Sequence, residues 1–203
     1  MSRVSAVFVI ILAAFRFGTA APAAETAKPP VAREKAALAL IEFPWQELQY
    51  DIVFMAPRRG VRAMTFTGEH RIEIYVRPED DTHLLAYDIA HELGHAIDMT
   101  LNTAEIREKW MKARGIDPAT PWFGCSGCSD FNTPAGDFAE TFAFFLLGPG
   151  HFAGCIAPSP PVNQILTLAP FFPTHNSYLQ RPRRPSIETG PSPRRARSDS
   201  PVP

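Results

Sequence analysis

The sequence has little net charge, few cysteines and no internal repeat. Its 203 residues include 20 Lys and Arg against 21 Asp and Glu, for a formal net charge of -1. This balance provides no general attraction to a polyanion, so we expect no nucleic-acid partner. A hydrophobic content of 45% with 20% charged residues is enough to build a core. One folded domain is therefore expected, between two ends of different composition.

The N-terminus lacks an apolar run long enough to span a membrane. Arg3 precedes an apolar run from Val4 to Phe15, and small residues follow from Gly18 to Ala21. A spanning helix needs about 20 apolar residues, so a membrane anchor is the weaker interpretation. We expect residues 1–21 to be a signal peptide that is removed on export. The mature chain would then be secreted or lie in the periplasm or cell envelope, without stable membrane insertion.

The three cysteines are too few for a disulfide-rich scaffold. In an oxidising compartment, Cys125, Cys128 and Cys155 are candidates for one disulfide and one free thiol, and the sequence leaves their pairing open. A redox or zinc-knuckle role for CSGC at 125–128 would need a preceding βαβ pattern or a second CxxC. The sequence has neither feature, which leaves a thiol protein as the weakest alternative.

Composition divides the remaining chain into three parts. Residues 22–30 are mostly small residues and prolines, as is typical of a linker. Residues 31–157 have the apolar periodicity of a folded domain. Residues 158–203 are rich in Pro, Arg and Ser, so we expect a largely disordered tail that buries too little apolar surface to fold.

Within the domain, apolar spacing predicts a β-hairpin followed by helices. VRAMTFT and RIEIYV are alternating runs, and the second would turn Ile72, Ile74 and Val76 toward the core. Helical spacing follows in HLLAYDIAHELGHAIDM, and it gives one apolar stripe: Leu85, Ile89, Leu93 and Ile97. AEIREKWMKAR and DFAETFAFFLL are predicted to form two further helices.

The strongest chemical signal is HELGH at residues 91–95, a match to H-E-x-x-H. Residues four apart share a helix face, so His91 and His95 can bind one metal ion while Glu92 reaches a water molecule held by it. Zinc in a catalytic site takes three protein ligands and keeps one position for water. A third ligand is therefore expected elsewhere in the chain.

Glu140 is the predicted third ligand. It lies in a segment that is apolar on nearly every side of a helix, so its carboxylate should be buried. A divalent cation would satisfy such a carboxylate, although a salt bridge at the helix edge is an alternative. Asp137, one turn earlier, is the rival ligand, and we expect it to cap the helix or to hold a ligand histidine. Asp98 is a further candidate to orient an imidazole.

HELGH followed by a helix containing DFAETFA resembles the gluzincin branch of the zincin metallopeptidases. HELGHAID with FAETFA is similar to the anthrax lethal-factor-like group, over roughly Tyr50 to Leu147 and specifically at the two helices. The resemblance implies an α+β zincin-like fold with a small, mostly antiparallel sheet, an HExxH helix and a second helix carrying the Glu ligand. By it, zinc binds His91, His95 and Glu140, and Glu92 is the general base. The separation of 49 residues between His91 and Glu140 fits that group.

One departure from the lethal-factor-like pattern concerns the support of the oxyanion. Those enzymes have a tyrosine shortly before the ligand glutamate, and the corresponding stretch FNTPAGD has none. Tyr75, Tyr87 and His151 are the candidates for this role.

The resemblance and the motif lead to one functional expectation and one alternative. We expect an exported zinc metallopeptidase that hydrolyses peptide bonds through a zinc-activated water, with Glu92 as general base. RIEIYV would be the edge strand along which an extended peptide or protein substrate pairs. The alternative, motivated by the missing tyrosine, is a non-catalytic zinc-binding envelope protein on a zincin scaffold.

Overall fold

The computed structural model describes residues 31–124 and 129–173. The predicted signal peptide, the linker, both cysteines of CSGC and the chain from residue 174 onward lie outside these ranges. Within them, the chain has an α+β architecture with five α-helices and one small mixed sheet of three strands. None of the helices in these two stretches is both long and apolar enough to cross a membrane.

One α-helix precedes the three strands in the described part of the chain, and four α-helices follow them. In chain order they are α1 (Ala32–Ala39), β1 (Asp51–Met55), β2 (Ala63–Phe66), β3 (Arg71–Tyr75), α2 (Thr82–Leu101), α3 (Ala104–Arg114), α4 (Pro134–Leu147) and α5 (Val162–Leu168). Local signals explain several bounds. The Asp81 side chain accepts a hydrogen bond from the Leu84 N–H at the start of α2. Gly115, with a φ of 66°, ends α3 in the left-handed region that glycine tolerates.

The sheet has the strand order β1-β3-β2. β2 and β3 form the predicted antiparallel hairpin, and Ile72 and Ile74 are fully buried as predicted. β1 pairs with the other side of β3 in parallel, so the sheet is mixed and the expectation of a mostly antiparallel sheet is wrong. RIEIYV is likewise not an edge strand, because β3 has a hydrogen-bonded neighbour on each side. The edge strand that lies beside α2 is β2.

The long helix α2 is the centre of the core. Its predicted apolar stripe is confirmed, because all four side chains have no exposed surface: Leu85, Ile89, Leu93 and Ile97. The helix packs against the sheet and α1, and its most extensive contact is with α4. Leu93 of HELGH belongs to this stripe, whereas His91, Glu92 and His95 lie on other sides of the helix, so packing of the stripe fixes the direction in which the histidines point.

The folded domain extends past the boundary predicted at residue 157. The segment 158–173 contains α5, and Leu168 and Phe172 are 2% and 3% exposed. The Phe172 ring lies 5.4 Å from that of Phe138 and 5.3 Å from that of Phe142. Burial of these apolar side chains offsets the ordering entropy, so this part of the expected tail is folded.

Gly94, inside HELGH, allows α2 and α4 to approach closely. A Cβ atom at this position would lie 2.6 Å from the Ala139 Cα, which is backbone and cannot move aside alone. We expect Gly94→Ala to lower the free energy of unfolding by about 1–3 kcal/mol, because the helices must separate. Thermal unfolding measures this effect. Gly68→Ala is the control, since a Cβ there meets nothing within 4 Å, and equal melting temperatures for the two variants would contradict the close contact.

Candidate metal centre

Two imidazoles of α2 and one carboxylate from the segment before α4 meet beside α2. The Nε2 atoms of His91 and His95 lie 3.2 Å apart, and Asp130 Oδ2 lies 3.0 Å from the first and 2.6 Å from the second. Ligand atoms around one tetrahedral zinc ion lie about 3.3 Å apart, since each bond is about 2.0–2.1 Å long. In the described part of the chain, these three residues thus form a group whose chemistry and spacing fit a metal ion.

Glu140 is buried next to this group but contacts the other side of the His91 ring. Its Oε1 lies 2.8 Å from His91 Nδ1, and its Oε2 accepts a hydrogen bond of 2.7 Å from the Ala153 N–H. Both oxygens therefore have partners at this position, and neither adjoins the Nε2 atoms. Ligand histidines commonly use their second nitrogen for a carboxylate partner of this kind. The role of Glu140 as a metal ligand stays a prediction.

The charges of this centre favour a bound cation. Burial lowers the pKa of His91, but hydrogen bonds to Asp130 and Glu140 outweigh burial and raise that pKa well above its usual range. Burial raises the pKa of Asp130, but hydrogen bonds to His91 and His95 outweigh burial and hold that pKa well below its ordinary value. The carboxylates thus stabilise a positive charge among them, which either a proton or a metal ion can supply.

The local fold brings Asp130 to the histidines. Thr133 caps α4 and donates a hydrogen bond of 2.7 Å from Oγ1 to the Asp130 main-chain oxygen. Gly136 lies directly against the same oxygen, where any Cβ would collide. The Cys155 N–H donates a 2.7 Å hydrogen bond to the Phe131 oxygen and holds the segment from its other side. These contacts place the Asp130 carboxylate over α2.

Asp130 was missed in the sequence because an acidic residue in a loop rich in proline and glycine is most often solvated. One signal was present, since Asp130 is the single carboxylate between Asp117 and Asp137. The contact of Gly136 with this loop could not be read from the local pattern.

Glu92, the predicted general base, points into the same space as the histidines. It is 7% exposed, and Thr65 Oγ1 lies 2.6 Å from its Oε2 and 3.1 Å from its main-chain oxygen. Thr65 belongs to β2, so the edge strand of the sheet holds the Glu92 carboxylate in one position. A carboxylate with one fixed oxygen keeps the other available to a water molecule or a substrate.

A cleft of about 790 Å³ runs along this face of α2. Leu84 lines it near the start of the helix and Met99 near the end, with His91, Glu92 and His95 between them. β2 and the residues before it form one wall, and the segment around Asp130 forms the opposite wall. This volume is within the usual range for ligand pockets.

Two of the three residues considered for oxyanion support line this cleft. Tyr87 and His151 are both part of its wall, with ring centroids 5.5 Å apart. The Tyr87 hydroxyl lies 3.5 Å from the main-chain oxygen of Glu140. Tyr75 does not line the cleft, and its hydroxyl donates to Glu73 Oε2 on the sheet. The expectation that Tyr75 could support the oxyanion is therefore wrong.

Two acidic residues expected near the histidines bind arginines instead. Asp98 accepts hydrogen bonds of 2.9 and 3.1 Å from Arg107, and Asp137 accepts two of 2.8 Å from Arg114. Both carboxylates are fully buried, and a guanidinium from α3 satisfies each of them. Their predicted bonds to a ligand histidine are wrong. Asp137 is also neither a metal-binding rival to Glu140 nor the cap of α4, whose cap is Thr133.

The donor set is suitable for zinc, since two imidazoles and a carboxylate are ligands that zinc takes in catalytic sites.

Comparison of the chain with protein-family models, with curated proteins and with solved structures finds no match.

Proposed function

We propose that this protein is an exported zinc-dependent metallopeptidase with a zincin-like arrangement of its metal-bearing helices. The observation that carries this proposal is the meeting of three atoms able to bind a metal ion, from His91, His95 and Asp130, with the Glu92 carboxylate in one cleft. Export rests on the N-terminal sequence alone.

Zinc bound at this centre would polarise a substrate carbonyl and lower the pKa of a water molecule. His91, His95 and Asp130 are the residues that would hold it. Glu140 fixes the His91 ring through Nδ1, so that Nε2 faces the cleft. The Glu140 carboxylate at Nδ1 also increases the basicity of His91 Nε2, which would strengthen metal binding by Nε2.

Glu92 has the position of a general base. Thr65 fixes one of its oxygens, and the other can take a proton from a water molecule in the cleft. The same carboxyl group then donates that proton to the amine that leaves when the peptide bond breaks. The deprotonated water oxygen bonds to the carbonyl carbon and the C–N bond breaks, so the transfer of one proton from water to the leaving nitrogen by Glu92 balances the hydrolysis.

The shape of the cleft favours an extended peptide. The helix face from Leu84 to Met99 is about 22 Å long at 1.5 Å per residue, which matches about six or seven residues of extended chain at about 3.3 Å each. β2, a strand of four residues, offers an edge about 13 Å long beside part of this face. The Arg62 oxygen accepts from the Tyr75 N–H, so by alternation the main-chain groups of Thr65 point away from β3. A substrate strand could pair with this edge.

Tyr87 and His151 are the side chains in the cleft that could support a substrate carbonyl. Burial and the nearby Glu140 raise the pKa of Tyr87 above its ordinary value, so its hydroxyl stays protonated at neutral pH. A protonated hydroxyl is able to donate a hydrogen bond to a developing oxyanion.

The proposal is tested with the mature chain, loaded with zinc and incubated with a mixed peptide library. We expect cleavage that a zinc chelator stops and that added zinc restores, as measured by mass spectrometry of the fragments. A chain that binds zinc and cleaves no peptide would contradict the peptidase and would support the non-catalytic zinc-binding protein. Cleavage that survives complete removal of the metal would contradict the metal-dependent reaction.

A further inference from the structure

The end of the cleft beyond His95 has two large apolar side chains open to solvent. Met99 is 43% exposed and Phe123 is 47% exposed, and both line the cleft. Exposure of apolar surface to water costs about 25 cal/mol per Å². For this reason, neighbouring apolar side chains that are exposed often mark a binding site. Phe131, whose ring centroid lies 5.9 Å from that of His91, also lines the cleft beside the metal centre.

Both side chains contact Arg107. Its guanidinium carbon lies 5.0 Å from the centroid of the Phe123 ring, and its Nη2 lies 3.8 Å from the Met99 sulfur. Asp98, which has no exposed surface, fixes this guanidinium with two hydrogen bonds and also accepts a 2.8 Å bond from Trp122 Nε1. An exposed ring that is stacked on a fixed cation loses little freedom when a ligand covers it.

The charge at this end of the cleft is balanced. Arg107 is neutralised by Asp98, so neither an acidic nor a basic ligand group gains a free partner there. What the site offers is an aromatic face and a thioether, and a thioether packs well against a ligand ring.

We propose that Met99 and Phe123 form a binding subsite for one large apolar side chain, preferably aromatic, of the peptide substrate. This inference rests on the proposed function for the identity of the ligand as a peptide. A peptide that lies along α2 would place this side chain on the side of His95 away from Leu84. The subsite therefore selects where along a substrate the bond beside the metal centre lies.

The subsite is tested by binding rather than by cleavage. The zinc-loaded Glu92→Gln variant is titrated with labelled alanine-based heptapeptides that have one phenylalanine moved through every position. We expect phenylalanine at one position to tighten binding about tenfold, the usual discrimination of an apolar pocket. In the Glu92→Gln background, the Met99→Ala/Phe123→Ala double substitution should remove this preference. Leu166→Ala, which changes an exposed apolar residue outside the cleft, should keep it.

Several results would overturn the subsite. These are a phenylalanine preference that persists in the double variant, no preference at any position, or tighter binding of aspartate or lysine peptides at the same position. Met99→Ser provides a second test. Because Met99 is exposed, this single substitution should leave the fold unchanged, and by itself it should weaken the preference for phenylalanine. Cleavage by the native chain without phenylalanine selectivity would contradict the subsite alone. Selective binding without cleavage by the native chain would contradict the peptidase alone.

Discussion

Replacement of Glu92 by glutamine should lower kcat/KM for peptide hydrolysis by about a thousandfold and leave the zinc content unchanged. Glutamine has the size of glutamate and can still accept the hydrogen bond from Thr65, so the fold of the cleft is kept. It cannot take a proton from water at neutral pH. The loss therefore isolates the proton transfer from metal binding and from packing.

Initial rates on a cleaved peptide and zinc content per chain are the two measurements for Glu92→Gln. Glu105→Gln is the matched control, since Glu105 is an exposed residue of α3 paired with Lys109. It should keep the native rate. Native activity in Glu92→Gln would mean that another group accepts the proton, and loss of zinc from this variant would mean that Glu92 helps to hold the metal.

Asp137→Ala should destabilise the protein by about 3–5 kcal/mol, because it leaves the Arg114 guanidinium buried without its carboxylate. The Arg114 side chain is 3% exposed and that of Asp137 is 0% exposed. Asp137 Oδ2 also accepts a 3.1 Å hydrogen bond from Trp110 Nε1, so one substitution removes partners from two residues. This pair joins α3 to α4, the helix that carries Glu140.

Thermal unfolding should show a fall in Tm of about 6–20 °C for Asp137→Ala. Glu105→Ala likewise removes the carboxylate of an ion pair, but this pair is exposed, and the Tm of the variant should equal that of the native protein. A Tm for Asp137→Ala within about 2 °C of the native value would show that water or another carboxylate replaces Asp137.

The helices α2, α3 and α4 could be predicted because their signals are local, whereas α5 lies in a segment rich in proline and was not predicted. The apolar stripe of α2, the end of α3 at Gly115 and the end of α4 at Gly148 all follow from residues within a few positions. The hairpin of β2 and β3 was predictable for the same reason. Each of these signals is a capping residue, a glycine or a periodicity that acts on its own segment.

The arrangement of the strands could not be predicted in the same way. β1 lies parallel to β3, and the chain passes from β1 to the far edge before it returns to the centre. The alternation within RIEIYV shows which residues face the core, but it contains no information about whether a strand lies on each side.

The candidate site was predictable only where it lies on α2. His91, Glu92 and His95 follow from helical spacing, whereas Asp130 depends on contacts of Gly136 and Thr133 with its main chain. The buried pairs formed by Asp98 and Asp137 were missed because their arginines lie on another helix. When the sequence pattern indicates that a carboxylate is buried, a cationic partner can be predicted, but the pattern does not show whether that partner is an arginine or a metal ion.

The central claim is that His91, His95 and Asp130 form a zinc site with Glu140 behind it. The most direct measurement is the zinc affinity of the native chain, of Asp130→Ala and of Glu140→Gln, by competition with a chelating dye. We expect one zinc ion per native chain. Glu140→Gln should weaken binding by about 10–100-fold, as loss of an outer hydrogen bond does, and Asp130→Ala should weaken it by more than about 100-fold. Native affinity in Asp130→Ala with binding lost in Glu140→Gln would make Glu140 the ligand, and a native chain that binds no zinc would contradict the metal centre itself.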